Sequence, residues 1–124
     1  MGYIRFNPNP NRIQVGDCVI RALSLATSSD WESTYVKLVV YGYRMADMPS
    51  SNHVWGKYLL DNGFKKYPCP DCTSIIDFCK SHNQGVYVVA TGTHVVTCID
   101  GNYYDSWNSG NEIPVYYFKR GEQS

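Results

Sequence analysis

Gly16-Asp17-Cys18-Val19-Ile20-Arg21-Ala22-Leu23-Ser24-Leu25-Ala26, residues 16–26, is the stretch on which the fold turns. Asp17 stands where an N-cap belongs, and the residues after it are apolar on most sides, which predicts a central buried helix. Cys18 then falls in the first turn, where the helix dipole and a neighbouring imidazole stabilise a thiolate. Cys69, Cys72, Cys79 and Cys98 have no such placement. The plainer alternative for Cys18 is a buried cysteine acting as a small hydrophobe.

Before this helix, residues 1–15 carry Asn7-Pro8-Asn9-Pro10-Asn11 and read as an extended lead-in, neither helix nor paired strand. After it, Ser29-Asp30-Trp31-Glu32 matches a capping box, and Trp31, Tyr35, Leu38 and Val39 share a face of a second helix ending near Gly42. Ser51 or Asn52 caps a third helix that carries Val54, Trp55, Tyr58 and Leu59 and closes at Asn62-Gly63. Thr73 opens a short fourth helix with Ile75, Ile76 and Cys79 inward.

Beyond Gly85 the pattern becomes that of strands: Val86-Tyr87-Val88-Val89, His94-Val95-Val96-Thr97-Cys98-Ile99, Tyr103-Tyr104-Asp105 and Val115-Tyr116-Tyr117-Phe118. Helices first and sheet second predict an α+β fold, N-terminal helices packed on a C-terminal antiparallel meander, as one domain over residues 1–124.

The composition, 44% hydrophobic and 15% aromatic, suits a globular domain and excludes disorder. Lys plus Arg equals Asp plus Glu at 11 each, so net charge draws the chain to neither nucleic acid nor an anionic membrane. No run reaches the roughly 18 apolar residues that span a bilayer, and no signal-type apolar stretch opens the chain. A cytoplasmic protein without a cofactor is expected. Five cysteines, an odd count, fit reduced thiols better than a disulfide framework.

A thiol nucleophile needs a base. His94 follows Thr91-Gly92-Thr93 at the start of a strand, with an ordinary pKa of about 6.5 that suits the task. The group that orients it depends on a hairpin. If Asp100-Gly101 is a two-residue loop, Ile99 pairs with Asn102 and Asp105 shares a face with His94, diagonal to it at roughly 7–8 Å between backbones. A Gly101-Asn102 loop keeps the face but moves Asp105 away. An odd-length loop turns Asp105 to the other face and leaves Ser106 or Asn108 as candidates.

Gly16-Asp17-Cys18-Val19-Ile20-Arg21-Ala22-Leu23, then Gly92-Thr93-His94-Val95-Val96, then Tyr104-Asp105-Ser106-Trp107, resembles the papain-like cysteine peptidase superfamily, in particular its small bacterial and phage-borne members. Around Cys18 the sequence is also similar to the Asp-x-x-Cys-x-x-Arg-Ala element of ovarian-tumour-type deubiquitinases, with Val15 where their Asp stands. The resemblance implies a papain-like fold and hydrolysis of a peptide or isopeptide bond in a protein substrate. Within it, Cys18 is the nucleophile, His94 the base and acid, and Asp105 the orienting carboxylate. Trp107 is expected beside His94, shielding its contact with Asp105. The family's Gln, about six residues before the Cys, is Arg12 here, so Gln14, Asn11 or the Cys18 N–H would serve the oxyanion instead. The same triad serves an acyl transferase, and without that Gln the fold also suits a catalytically silent module that binds a host protein.

Cys69-Pro70-Asp71-Cys72 with Cys79 and His82 has spacings a zinc ion could use, though Cys79 reads as core and the pair as incidental surface thiols. Cys98, in step with His94 and Val96, is expected to pack under the site. His53 is expected at the surface.

Overall fold

Val86, Val88 and Ala90 alternate with Tyr87 and Val89 along one strand, and both sets are buried, so this strand needs cover on two faces. It is β3 (Val86–Ala90), near the centre of a six-stranded sheet. The computed structural model describes residues 2–13 and 16–121. Among the described residues the order is β1 (Gly2–Arg5), α1 (Cys18–Ala26), α2 (Trp31–Met45), α3 (Asn52–Asp61), β2 (Phe64–Pro68), α4 (Ile75–Ser81), β3, β4 (Val95–Ile99), β5 (Asn102–Asp105) and β6 (Tyr116–Arg120), an α+β fold. None of its helices is long and apolar enough to cross a membrane.

The sheet runs β1-β5-β4-β3-β6-β2. The meander β3-β4-β5 matches the sequence reading; β6 is antiparallel as expected but lies beside β3 instead of continuing the meander past β5, and two further strands were not expected. Residues 2–5, expected as an unpaired lead-in, form β1 and lie parallel to β5, with Tyr3 opposite Tyr103 and Arg5 opposite Asp105. The backbone groups along β5's outer edge needed partners, and the Asn-Pro run that resists pairing begins only at residue 7. Residues 64–68, read as no element, form β2 on β6. The sheet is therefore mixed, and strands stand on both sides of the helices in sequence.

One face carries α1, α2 and α3 over Val88, Ala90, Val95 and Phe118, with Leu23, Leu38, Trp55 and Leu59 fully buried between. The other carries α4, whose Ile75, Phe78 and Cys79 cover Tyr87, Val89, Val96, Cys98 and Tyr103. Cys98 thus faces Cys79, sulfurs 3.1 Å apart, and does not underlie His94. Strict alternation holds inside β4, whereas His94 precedes its first ladder residue and escapes that parity.

Helix starts differ in detail from the sequence reading. Asp30 caps α2 by accepting from the Ser33 N–H at 2.6 Å, and Ser74 caps α4 through the Asp77 N–H. Gly42, expected as the end of α2, lies inside it. The helix runs on to Met45 and closes at Ala46, which takes the left-handed conformation with φ 55°. A Cβ on Gly42 would stand 2.7 Å from the Asp47 carbonyl oxygen and 3.0 Å from Pro49 N, both backbone. Gly42→Ala is therefore expected to push the following loop outward and to lower stability by about 1–3 kcal/mol, read from the urea midpoint. An unchanged midpoint would refute the close approach.

Candidate active site

Cys18 opens α1, and α1 is held to the sheet where Thr97 Oγ1 donates to the Ala22 carbonyl at 2.6 Å. The turn between β3 and β4 closes with the Thr91 N–H donating to the His94 carbonyl at 2.8 Å, which sets His94 at the end of β4 beside that helix start. Asp100 (φ 49°) and Gly101 (φ 87°) form the two-residue loop, Ile99 pairs with Asn102, and Asp105 ends β5 at the same end of the sheet.

These three side chains converge. His94 Nε2 lies 2.6 Å from Asp105 Oδ2, with 9% of His94 and 1% of Asp105 exposed. The Cys18 sulfur is hydrogen-bonded to the His94 ring and to the Val95 N–H. Since Asp105 holds Nε2, Nδ1 is the nitrogen left for sulfur.

Burial disfavours charge on all three groups, yet hydrogen bonds decide the outcome. Burial pulls His94 down, but its bonds to Asp105 and Cys18 raise it to about 9. Burial pushes the Cys18 thiol up, and the imidazolium, the Val95 N–H and the nearby Arg21 charge bring it below its ordinary value. Asp105, likewise opposed by burial, is held low by His94, Ser109 and the Ser106 N–H. The two shifts run in opposite directions, each group favouring the charged form of the other.

Asp105 also serves Arg21. The buried guanidinium donates Nη2–H to Asp105 Oδ1 at 2.9 Å and Nη1–H to Asp17 Oδ1 at 2.5 Å. Trp31 Nε1–H takes Asp17 Oδ2 at 2.8 Å, and Ser109 Oγ donates to Asp105 Oδ2 at 2.5 Å. Asp17 therefore does not cap α1 through its side chain, as expected from sequence, because both its oxygens are engaged by Arg21 and Trp31. The i,i+4 spacing of Asp17 and Arg21 was the available signal; nothing pointed to Ser109. Asn108 instead accepts from the Tyr103 hydroxyl.

Trp107 lies against His94, ring centroids 5.0 Å apart, and remains 46% exposed. It covers the imidazole from outside and is not a core aromatic. Gly16, Cys18, Val19, Ser50, Asn52, Trp55 and residues 90–95 line a cleft of about 220 Å³ over the sulfur. A second hollow of about 320 Å³, walled by Ile20, Trp31, Tyr35, Leu38 and Val39, shares Gly16, Val19 and Ser50 with it.

Of the expected oxyanion donors, Cys18 itself lines this cleft and Asn11 does not. Asn11 is exposed, in a turn closed by the Asn9 side chain, and is not among the lining residues; Gln14 lies outside the described residues. The zinc-compatible residues do not gather either. Cys69 and Cys72 form a disulfide, contrary to the expectation of reduced thiols, while Cys79 faces Cys98 and His82 stacks on Phe78. Among the described residues no group of three or more His, Cys, Asp or Glu could hold a metal ion. His53 is exposed and pairs with Asp47 at 2.6 Å.

No family model, curated protein or solved structure matches the chain.

Proposed function

We propose that the chain is a small papain-like cysteine peptidase or isopeptidase, with Cys18 as nucleophile, His94 as acid and base, and Asp105 as the carboxylate that orients the imidazole. The observation that carries this reading is the relay of Cys18 to His94 to Asp105, in which the thiol is lowered and the imidazole raised. A structural histidine needs no sulfur partner, and a structural cysteine needs no thiolate.

In this mechanism the Cys18 thiolate attacks the carbonyl carbon of an amide or isopeptide, and the carbonyl π electrons move to oxygen. On collapse, the C–N bond breaks and the His94 imidazolium gives its proton to the departing amine. Neutral His94 then takes a proton from water, hydroxide adds to the thioester, and thiolate leaves to restore the ion pair. Asp105 keeps its bond to Nε2–H throughout, which fixes the tautomer and leaves Nδ1 to handle the moving proton. The open cleft and the adjoining apolar hollow suit an extended peptide segment with an apolar side chain near the scissile bond.

Alkylation tests the reading. With iodoacetamide at pH 6 and adducts mapped by mass spectrometry, Cys18 is expected to react ahead of Cys79 and Cys98, and ahead of Cys69 and Cys72 after reduction. His94→Ala is expected to slow Cys18 by about 10- to 100-fold at that pH, because most thiols near pKa 8.5 are protonated there. Equal reactivity of all the cysteines would leave a silent binding module as the better account.

A further inference from the structure

We propose that Asn52 is the side-chain oxyanion donor of the Cys18 site, an assignment that rests on the peptidase reading. Asn52 begins α3 and lines the Cys18 cleft together with Ser50 and Trp55. Its amide has a defined orientation. Trp55 has no exposed surface, and its Nε1–H meets Asn52 Oδ1 at 3.2 Å. An indole N–H only donates, so the carboxamide oxygen must face it, and the Nδ2 amino group with its two donors is turned the other way. No hydrogen bond among the described residues engages Nδ2.

The chemistry asks for a donor in that cleft. The imidazolium must reach the departing nitrogen, so the leaving group sits on the His94 side of the sulfur. The carbonyl oxygen then points away from His94 as negative charge develops on it. Among the described residues lining the cleft Asn52 carries the one side-chain amide, and Trp55 Nε1–H is already committed to it. The Cys18 N–H, in the first turn of α1 and without an intrahelical acceptor, supplies a second donor from the floor. Asn52 thus takes the task of the Gln that Arg12 replaces, from a helix about 40 residues further along the chain.

Two probes separate this assignment from the reading beneath it. Iodoacetamide alkylation needs the thiolate and forms no oxyanion, whereas a peptide aldehyde adds sulfur to its carbonyl carbon and places an oxygen in the donor site. Asn52→Asp keeps an acceptor for Trp55 and so protects the fold; Asn52→Ala adds no charge beside the thiolate. Both variants are expected to keep the Cys18 alkylation rate within about threefold. Both should lose about 10²–10³-fold in affinity for the best binder from a panel of acetylated dipeptide aldehydes. Wild-type aldehyde affinity in both variants would overturn the Asn52 assignment alone, as would selective wild-type alkylation without binding of any aldehyde. A wild-type Cys18 with no alkylation lead would overturn the peptidase reading and this assignment together.

Discussion

Arg21→Met lowers the unfolding free energy by about 3–5 kcal/mol, the range for breaking a buried ion pair by removing one partner. Arg21 is the cation between two carboxylates that are themselves almost fully buried, Asp17 at 4% and Asp105 at 1% exposure. Methionine fills the volume but leaves Asp17 with only the Trp31 N–H and Asp105 with one cation in place of two. Urea unfolding reads the loss as a lower midpoint at constant slope. Arg21→Met combined with Asp17→Asn is expected to recover part of it, because the second change removes one of the orphaned charges. A loss below about 1 kcal/mol for the single variant would mean that the network is solvated and carries little. The same variant removes a positive charge near Cys18, so the thiol moves up and alkylation at pH 6 slows.

The other large effect is on pH. His94 titrates at about 9 in the folded chain against about 6.5 unfolded. Its contribution to stability is therefore complete below about pH 6.5 and disappears as pH rises through 9. Cys18 has the opposite sign: its folded pKa lies below the unfolded one, so its contribution holds above the thiol's ordinary range and fades as pH falls through the lowered value. In the proposed peptidase mechanism, the imidazolium must be present to protonate the leaving amine. The expected kcat/KM profile is a bell whose alkaline limb falls about tenfold per pH unit above 9. Alkylation of Cys18, which needs no acid, is expected to persist through that limb. An alkaline limb near 6.5 would show that Asp105 does not hold the imidazolium in solution.

The difference between what was legible in sequence and what was not follows the range of the interactions. Asp100-Gly101 specifies its own turn, and one correct turn fixes the register that carries Asp105 to the end of the sheet where His94 stands. Asp17 and Arg21, four residues apart on one helix, were within reach of local reasoning, but a cap is the commoner use of such an aspartate. Ser109 and Asn52 reach the site only through the packing of distant segments, and no spacing announces them. β2 was hidden because Lys65, Lys66, Tyr67 and Pro68 are exposed and show no alternation, as befits an edge strand. β1 is four residues long and lacks a buried face. Cys98 shows the limit of parity, which fails one step outside a ladder.

β1 also sets an order in time. Gly2 to Arg5 pair with Asn102 to Asp105, and the Phe6 N–H donates to the Asp105 carbonyl at 2.7 Å. On the ribosome, residues 2–6 must wait until the segment about 100 residues later has been made, and the loop they close is among the longest in the chain. The backbone that carries Asp105 is clamped from its outer side only at that moment. Cys18 is therefore made well before the strand pairing that clamps the backbone of Asp105, and that part of its surroundings closes only after the two distant segments meet.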